Sequence, residues 1–258
     1  MNQTFKLLTL LLAVTLLTGC NKTEELDFSQ DITEHFDKEF ALQLEKRGYI
    51  PDAKKITWAD VKDINRLDIM NPEPKQGVPV SPYYRFYGQL TSLAGIEYFS
   101  ALDTLNCDAN QLTALDLSKN TKLRWLFCRG NQLTNLNLSH NRELGNLNCE
   151  YNQLIALDVS KCPVLVWMNC GSNQLTTLNI SNSRLLARLF CESNRLTALD
   201  ISNNRMLGTL SCNYNPGNGT VIPITAWFDN DNIPSYFPKL VWEAWDSDKV
   251  IDIEYIKK

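Results

Sequence analysis

The sequence predicts a solenoid, mainly β, in which stacked coils each contribute one short strand to a continuous parallel sheet. Two observations support this fold class. The stretch LNCDANQLTALDLSKNTKLRW, residues 105–125, returns in closely related form at a constant step of 21 residues. Each copy also alternates apolar and polar residues in the pattern Leu-x-Cys, and a period of two is typical of a strand with one buried face.

Aligned copies share four fixed columns. The two apolar columns are Leu102, Leu123, Leu144, Leu165, Leu186, Leu207 and Leu105, Leu126, Leu147, Met168, Leu189, Leu210. The cysteine column is Cys107, Cys128, Cys149, Cys170, Cys191, Cys212, and the asparagine column is Asn110, Asn131, Asn152, Asn173, Asn194, Asn215. This L-x-x-L-x-C-x-x-N frame resembles the leucine-rich repeat, in particular the short nested class of bacterial surface proteins. The resemblance implies a leucine-rich-repeat solenoid.

The second half of each copy is predicted to be extended as well. Leu112, Leu115, Leu117 and Asn120 repeat the spacing of the first half at an offset of ten residues. A helix advances about 1.5 Å per residue and a strand about 3.3 Å. So few residues span the return side better as an extended segment than as a full helix.

The polar columns have predicted structural roles. An asparagine side chain both donates and accepts hydrogen bonds, so it can satisfy inward backbone groups on successive coils. The cysteine column lies within nominal range for disulfides, but in-register side chains point the same way and no histidine or C-x-x-C pair converges on them. We therefore expect small, buried, reduced thiols and no metal or other cofactor. Cys162 is interpreted as a substituted turn residue, at a position where other copies have asparagine.

Residues 1–19 are predicted to be a lipoprotein signal peptide. Lys6 precedes an apolar run that is too short to span a bilayer. The tetrad Leu17-Thr18-Gly19-Cys20 resembles a bacterial lipobox, which implies cleavage before Cys20 and its lipidation. The protein would then be an outer-membrane lipoprotein exposed at the surface of a Gram-negative bacterium, with 20–30 as a tether and the lipid as its only membrane contact. The alternative is an ordinary signal peptide with a chance cysteine.

A helical cap is predicted before the repeats, because terminal coils would otherwise expose the core. Residues 31–82 are assigned to this cap and to a proline-rich connector that begins at residue 71. An amphipathic helix is expected over 31–47. Thr57-Trp58-Ala59-Asp60 resembles a capping box that opens a second short helix. The repeat solenoid itself is assigned to 83–215.

A second cap is predicted after the repeats. Residues 216–258 are assigned to it, starting at a turn rich in glycine and asparagine. Segments 240–245 and 250–256 flank a polar stretch and are expected to pair as a β-hairpin. The C-terminal cap is therefore expected to be hairpin-like.

Composition and motifs argue against two classes of function. The formal net charge is −4 and the basic residues do not cluster, so no nucleic-acid partner is expected. The two histidines, His35 and His140, fall in a predicted helix and in a turn between copies. No H-E-x-x-H, G-x-S-x-G or glycine-rich phosphate motif occurs. We therefore expect no catalytic residues and no enzymatic activity.

Residues that flank the buried Leu-x-Cys point out of the predicted sheet and vary between copies. Many are aromatic or charged, as at binding hot spots. The candidate ligand face comprises Trp125, Phe127, Arg129, Glu150, Trp167, Arg188, Phe190 and Glu192. We expect it to bind a protein or a glycan. Two alternatives stay open: the aromatic residues stabilise the sheet itself, or the protein is a structural envelope component without a specific ligand.

Overall fold

The structure is a computed structural model, and it describes residues 27–70, 88–217, 221–228, 230–235 and 252–257. The predicted signal peptide, Cys20 and the predicted connector from residue 71 to 82 lie outside these residues. The described helices are α1 (Lys38–Lys46), α2 (Trp58–Val61) and three short 3-10 helices, Thr33–His35, Ile96–Tyr98 and Asn230–Asn232. Among the described residues, no helix has the length and apolar character needed to cross a bilayer.

Ten strands are described. They are β1 (Arg66–Asp68), β2 (Thr104–Asn106), β3 (Trp125–Phe127), β4 (Asn146–Asn148), β5 (Trp167–Asn169), β6 (Arg188–Phe190), β7 (Leu199–Asp200), β8 (Thr209–Ser211), β9 (Val221–Ala226) and β10 (Asp252–Lys257). Seven of them form one parallel sheet in the order β1-β2-β3-β4-β5-β6-β8. This confirms the predicted leucine-rich-repeat solenoid, with one short parallel strand per coil.

The repeat sets the register of this sheet. From β2 onwards, each strand pairs with its counterpart one repeat later, so that Leu105, Leu126 and Leu147 lie side by side. β1 comes before the repeats and pairs with β2. It lies within the segment assigned to the N-terminal cap, and the sequence analysis did not predict it.

The interior of the solenoid is packed with leucine and cysteine side chains. Leu126 in β3 and Cys128 directly after it are fully buried, whereas Trp125 and Phe127 point to the other side of the sheet. The described cysteines are all buried, and none of them is joined in a disulfide: Cys107, Cys128, Cys149, Cys162, Cys170, Cys191 and Cys212. The expectation of small, buried thiols in a narrow core is therefore confirmed for these residues.

The asparagine column joins successive coils. The Nδ2 of Asn131 donates to the carbonyl oxygens of Cys107 and Cys128, at 3.0 Å each. Its Oδ1 accepts a hydrogen bond from the Leu112 N–H at 3.0 Å. The Nδ2 bonds recur at Asn152, Asn173, Asn194 and Asn215. Because these backbone groups are buried, the asparagine takes the place of water as their partner, as predicted.

The return segments are extended, as expected, and contain little regular structure. Their described strand pairing consists of β7 and an isolated bridge between Asp158 and Asn179. A second asparagine column closes this side, and in it the Nδ2 of Asn141 donates to the Asn120 carbonyl at 3.0 Å. Cys162 takes the same position in the next coil, with its Sγ 3.7 Å from the Asn141 carbonyl oxygen. Its interpretation as a substituted turn residue is confirmed.

The N-terminal cap shares its core with the solenoid. α1 begins after Asp37, whose carboxylate accepts a hydrogen bond from the Phe40 N–H at 3.0 Å. This N-cap makes the helix shorter than the predicted span 31–47. α2 begins at the predicted capping box, in which the Asp60 carboxylate accepts from the backbone N–H and the hydroxyl of Thr57, both at 2.7 Å. Phe40 is fully buried in the core that continues through the repeats.

The C-terminal cap forms a second parallel sheet in the order β10-β9-β7. β9 pairs with β7 in a return segment, so the cap continues the return side of the solenoid. The described partner of β10 is β9, in parallel, with Ile253 beside Ile222, and the hairpin stays a prediction. Segment 240–245, the expected partner, lies outside the described residues. Parallel pairing needs a long crossover, and the 25 residues from 227 to 251 are long enough to supply it.

Candidate binding face

The outward side of the seven-stranded sheet carries the residues that vary between copies, and we call it the strand face. Its first column is Thr104, Trp125, Asn146, Trp167, Arg188 and Thr209, and its second is Asn106, Phe127, Asn148, Asn169, Phe190 and Ser211. Its third column, just beyond the buried cysteines, is Asp108, Arg129, Glu150, Gly171, Glu192 and Asn213. The strand register places neighbours in the first two columns side by side, about 4.8 Å apart.

Two aromatic pairs stand on the strand face. Trp125 and Phe127 stack within β3, with ring centroids 6.3 Å apart and ring planes 26° apart. Trp167 of β5 and Phe190 of β6 pack across neighbouring strands, with centroids 6.2 Å apart. Trp125 is 42% exposed, and the other three rings are half-buried. Each pair therefore combines mutual packing with apolar surface that a ligand can reach.

The structure does not bring all eight predicted residues together. Asn146 and Asn148 of β4 lie between the two aromatic pairs, so the rings form two separate patches. Arg188 is exposed at the start of β6, and within the described part of the chain it has no ion-pair partner within 4 Å. The other charged residues of the prediction meet in the third column.

Arg129 lies at the centre of a charged cluster. Its Nε is 2.9 Å from Oε2 of Glu150 on the next coil. Its backbone N–H donates to Oδ1 of Asp108 on the preceding coil, at 2.6 Å. Its guanidinium carbon is 5.2 Å from the centroid of the Tyr151 ring, within the range of a cation–π contact. Arg129 thus contacts an acid on each neighbouring coil, and its guanidinium lies over an aromatic ring.

Glu192 has a different environment, because the preceding member of its column is Gly171. A Cβ on Gly171 would lie 3.1 Å from the Glu192 Cδ and 3.2 Å from its Oε1, so the carboxylate leans over the glycine. The Oε2 of Glu192 is buried and has no hydrogen-bond partner. A buried carboxylate oxygen without a partner costs free energy. Glu192 is therefore an unsatisfied group of the strand face.

Burial raises the pKa values of two acids in this cluster. It raises the pKa of Asp108 to about 6, although the hydrogen bond and charge of Arg129 act in the opposite direction. Burial also raises the pKa of Glu150, against the effect of Arg129, and the charge of Glu192 adds to the increase. Glu150 and Glu192 are thus close enough to influence each other. Three carboxyl groups and one guanidinium thus share the third column.

Sequence reasoning found the columns but not every residue of the cluster. Asp108 and Gly171 were not predicted as site residues, although the repeat register places both in the third column. Tyr151 lies one residue beyond that column, with a backbone φ of 53°, and nothing in the repeat pattern marks it. Among the described residues, no group of three or more His, Cys, Asp or Glu is arranged to hold a metal ion.

These features define the class: the protein folds as a leucine-rich-repeat solenoid with a variable strand face. Among solved structures, it is similar to an internalin, InlF, from Listeria monocytogenes, with 18% sequence identity and a TM-score of 0.54 over 76% of this chain and 58% of that one. It is also similar to the functional domain of InlJ from Listeria monocytogenes, which includes a cysteine ladder (23% identity, TM-score 0.47, 88% and 61% of the two chains). A third structure is a leucine-rich-repeat protein of Leptospira interrogans (25% identity, TM-score 0.49, 52% and 37%).

The likeness to InlF supports the fold. The chain spans between 37% and 61% of the length of these three proteins. No protein-family model and no curated protein matches the sequence. The function is therefore argued from the strand face itself.

Proposed function

We propose that the protein is a binding module, not an enzyme, and that it recognises a protein or a glycan through the strand face. The observation that carries this proposal is the presence of two aromatic pairs, Trp125–Phe127 and Trp167–Phe190, on the outward side of the sheet. Aromatic rings beside charged groups are typical of binding hot spots.

The contrast with the return side supports the same proposal. The matching outward column of the return segments contains only small or polar side chains: Ala114, Asn135, Ala156, Thr177 and Ala198. The core requires only the inward positions of each coil, so it does not explain why the strand face carries large rings. A ligand that covers Trp125 would remove exposed apolar surface from water.

The proposal is tested by combining Trp125→Ala with Trp167→Ala. The soluble fragment of residues 21–258 is first screened against purified extracellular proteins and glycan arrays, and the affinity for each ligand found is measured. We expect the double variant to lose at least about tenfold in affinity, because truncated hot-spot residues cost about 2 kcal/mol or more. Its melting temperature should change little, since neither ring belongs to the leucine core.

A matched control combines Ile155→Ala with Met206→Ala, two apolar residues that are 59% and 64% exposed away from the three columns. We expect the control to bind normally. Unchanged affinity in the aromatic variant would contradict the proposal. A large loss of stability in that variant would make the rings structural, and a screen without any ligand would favour the structural envelope component.

We also propose that the protein is held at the outer-membrane surface of a Gram-negative bacterium by lipid on Cys20. The support is the tetrad Leu17-Thr18-Gly19-Cys20 at the end of a short apolar run. Several acyl chains on one residue form a stable anchor. Residues 20–30 would then act as a tether between the lipid and the N-terminal cap.

A further inference from the structure

The turns through which each return segment enters the next strand form a second exposed surface of the solenoid, and we call it the turn edge. Each turn is closed by a backbone hydrogen bond between residues three apart, as from the Leu186 N–H to the Ser183 carbonyl oxygen at 3.1 Å. The two central residues of each turn are exposed. In chain order these central pairs are Thr121-Lys122, Arg142-Glu143, Pro163-Val164, Arg184-Leu185 and Arg205-Met206.

The last three turns expose an apolar row, which consists of Val164, Leu185 and Met206. These residues follow one another at the repeat interval and are 41%, 49% and 64% exposed. Val166, two residues after Val164, is 43% exposed and extends the row towards β5. Hydrogen bonds between coils keep the turns in register, such as the bond of 2.8 Å from the Ala187 N–H to the Val166 carbonyl oxygen. Contiguous exposed apolar side chains of this kind mark an interaction site.

Positive charge accompanies the apolar row. The last three turns and the strand starts beside them lie in segments 160–167, 181–188 and 202–209. These segments contain four basic residues and no acidic residue, although the formal net charge of the chain is −4: Lys161, Arg184, Arg188 and Arg205. Among the described residues, the three arginines have no ion-pair partner within 4 Å. The stacking of coils thus gathers basic residues that form no run in the sequence.

We propose that the turn edge docks on an anionic membrane surface. The phosphate groups of such a surface attract arginine, and the acyl boundary just below them accepts apolar side chains. One planar surface thus matches both features, because the apolar row and its arginines follow the same three coils. The contact adds to the lipid proposed on Cys20, and it goes beyond the ligand proposed for the strand face.

Two other occupants fit the turn edge less well. A soluble polyanion would pair with Arg184 and Arg205 but would leave Leu185 and Met206 in water. A second copy of the chain, related by two-fold symmetry, would bring the same patch of both molecules together. The arginines of one copy would then face those of the other, and the three segments offer no acid to compensate them. A membrane surface buries the apolar row and neutralises the arginines at the same time.

The contact is tested with the soluble fragment of residues 21–258, which lacks Cys20 and its lipid. The fragment is floated with vesicles of phosphatidylcholine alone, or of equal parts phosphatidylcholine and phosphatidylglycerol, and we expect it to bind only the second kind. The apolar-row variant combines Leu185→Ser with Met206→Ser, and the arginine variant combines Arg184→Gln with Arg205→Gln. Each should weaken binding at least about tenfold, because the first removes apolar surface and the second removes two charges.

A matched control combines Leu42→Ser with Ile155→Ser, two apolar residues that are 49% and 59% exposed away from the turn edge. We expect this control to bind anionic vesicles like the unmodified fragment. Melting curves followed by circular dichroism check that each variant is folded. The arginine variant changes only exposed side chains, so it keeps the test valid if the apolar-row variant unfolds.

Insertion is measured separately with Met206→Cys labelled with the dye nitrobenzoxadiazole, which brightens in an apolar environment. The seven native thiols of the fragment are buried, so the label goes to position 206. We expect its fluorescence to rise with anionic vesicles. The same label on Ile155→Cys should show no rise, because this position lies away from the turn edge.

Three results would overturn membrane docking: equal vesicle binding by the control and the apolar-row variant, no rise in fluorescence at position 206, or a dimer, measured by light scattering, that the apolar-row variant dissociates. A loss of binding by the arginine variant alone would assign the turn edge to a soluble polyanion and overturn the proposal as well. The strand face is judged separately. If vesicles bind as expected but Trp125→Ala with Trp167→Ala keeps full affinity for its ligand, the proposed aromatic face fails and the turn edge stands.

Discussion

At the scale of single residues, one asparagine per coil has a structural role that a leucine could not fill. Asn152 donates to the carbonyl oxygens of Cys128 and Cys149, both at 3.0 Å, and accepts from the Leu133 N–H at 3.0 Å. These groups are remote from water, and leaving a buried polar group unpaired costs about 1–3 kcal/mol. The column thus maintains the spacing between coils as well as satisfying the turn.

We predict that Asn152→Ala lowers the free energy of unfolding by about 3 kcal/mol, since it removes four hydrogen bonds and alanine replaces none of them. Urea denaturation followed by circular dichroism measures this change. Gln153→Ala is the control, because its side chain is exposed and should contribute within about 0.5 kcal/mol. Similar stability in both variants would mean that the asparagine column does not hold the coils together.

The buried thiols make stability sensitive to alkaline pH. Burial raises the pKa of the Cys149 thiol to about 12, whereas the pKa of an unfolded thiol is about 8.5. Between these values the folded protein binds more protons than the unfolded chain. The stabilisation is therefore complete below about pH 8.5 and is lost as the pH rises towards 12.

We predict that the free energy of unfolding falls less steeply between pH 7.5 and 9.5 in Cys149→Ala than in the unmodified protein, since one thiol no longer contributes. At pH values well above the pKa of the unfolded thiol, one buried thiol is expected to lower the free energy of unfolding by about 1.4 kcal/mol per pH unit. Urea denaturation at the two pH values gives both slopes. Equal slopes would show that ionisation of Cys149 is not linked to folding.

At the scale of elements, each of the six repeat strands, β2 to β6 and β8, is followed by a turn with left-handed backbone. The position is the same in every copy, and its φ values lie between 53° and 65°: Ala109, Gly130, Tyr151, Ser172, Ser193 and Tyr214. Residues other than glycine are disfavoured by about 1–2 kcal/mol in this conformation. The repeated turn therefore stores strain in five of six coils, and the packing of the coils maintains it.

We predict that Ser172→Gly raises the free energy of unfolding by about 0.5–1 kcal/mol, because glycine adopts a positive φ without steric cost. Gly130→Ala should lower the free energy of unfolding by a similar amount. Thermal and urea denaturation of the two variants measure the difference. Destabilisation by Ser172→Gly would show that the serine side chain contributes more than the strain removes.

The same elements show what could be predicted from the sequence. The constant repeat places Leu105 beside Leu126 and Trp125 beside Asn146, so the sheet, its buried face and the columns of the strand face followed from it. β9 and β10 lie outside the repeat, and pairing between distant extended segments depends on tertiary packing, so their parallel order was not predicted. The position of the Glu192 carboxylate over Gly171 depends on how a side chain leans between coils, which sequence spacing does not encode.

At the scale of the whole molecule, one hydrophobic core runs from Ile32 in the N-terminal cap to Phe228 in the C-terminal cap. The strand face lies on one side of this core, and the C-terminal sheet adds to the return side through β7. β9 and β10 therefore belong to a different sheet from the one that carries Trp125 and Trp167.

The final prediction concerns the proposed tether, residues 20–30. If Cys20 carries the lipid, Cys20→Ser removes both the acylated thiol and the residue at which processing occurs. We expect the variant to remain uncleaved or to be recovered in the soluble fraction, whereas the unmodified protein partitions into detergent. Cys162→Ser is the matched control, because Ser183 already occupies the equivalent position one coil later, with its hydroxyl 3.4 Å from the Cys162 carbonyl oxygen. A Cys20→Ser protein that is still processed and still partitions into detergent would contradict lipid anchoring, while the strand face and its ligand would remain to be judged by their own experiments.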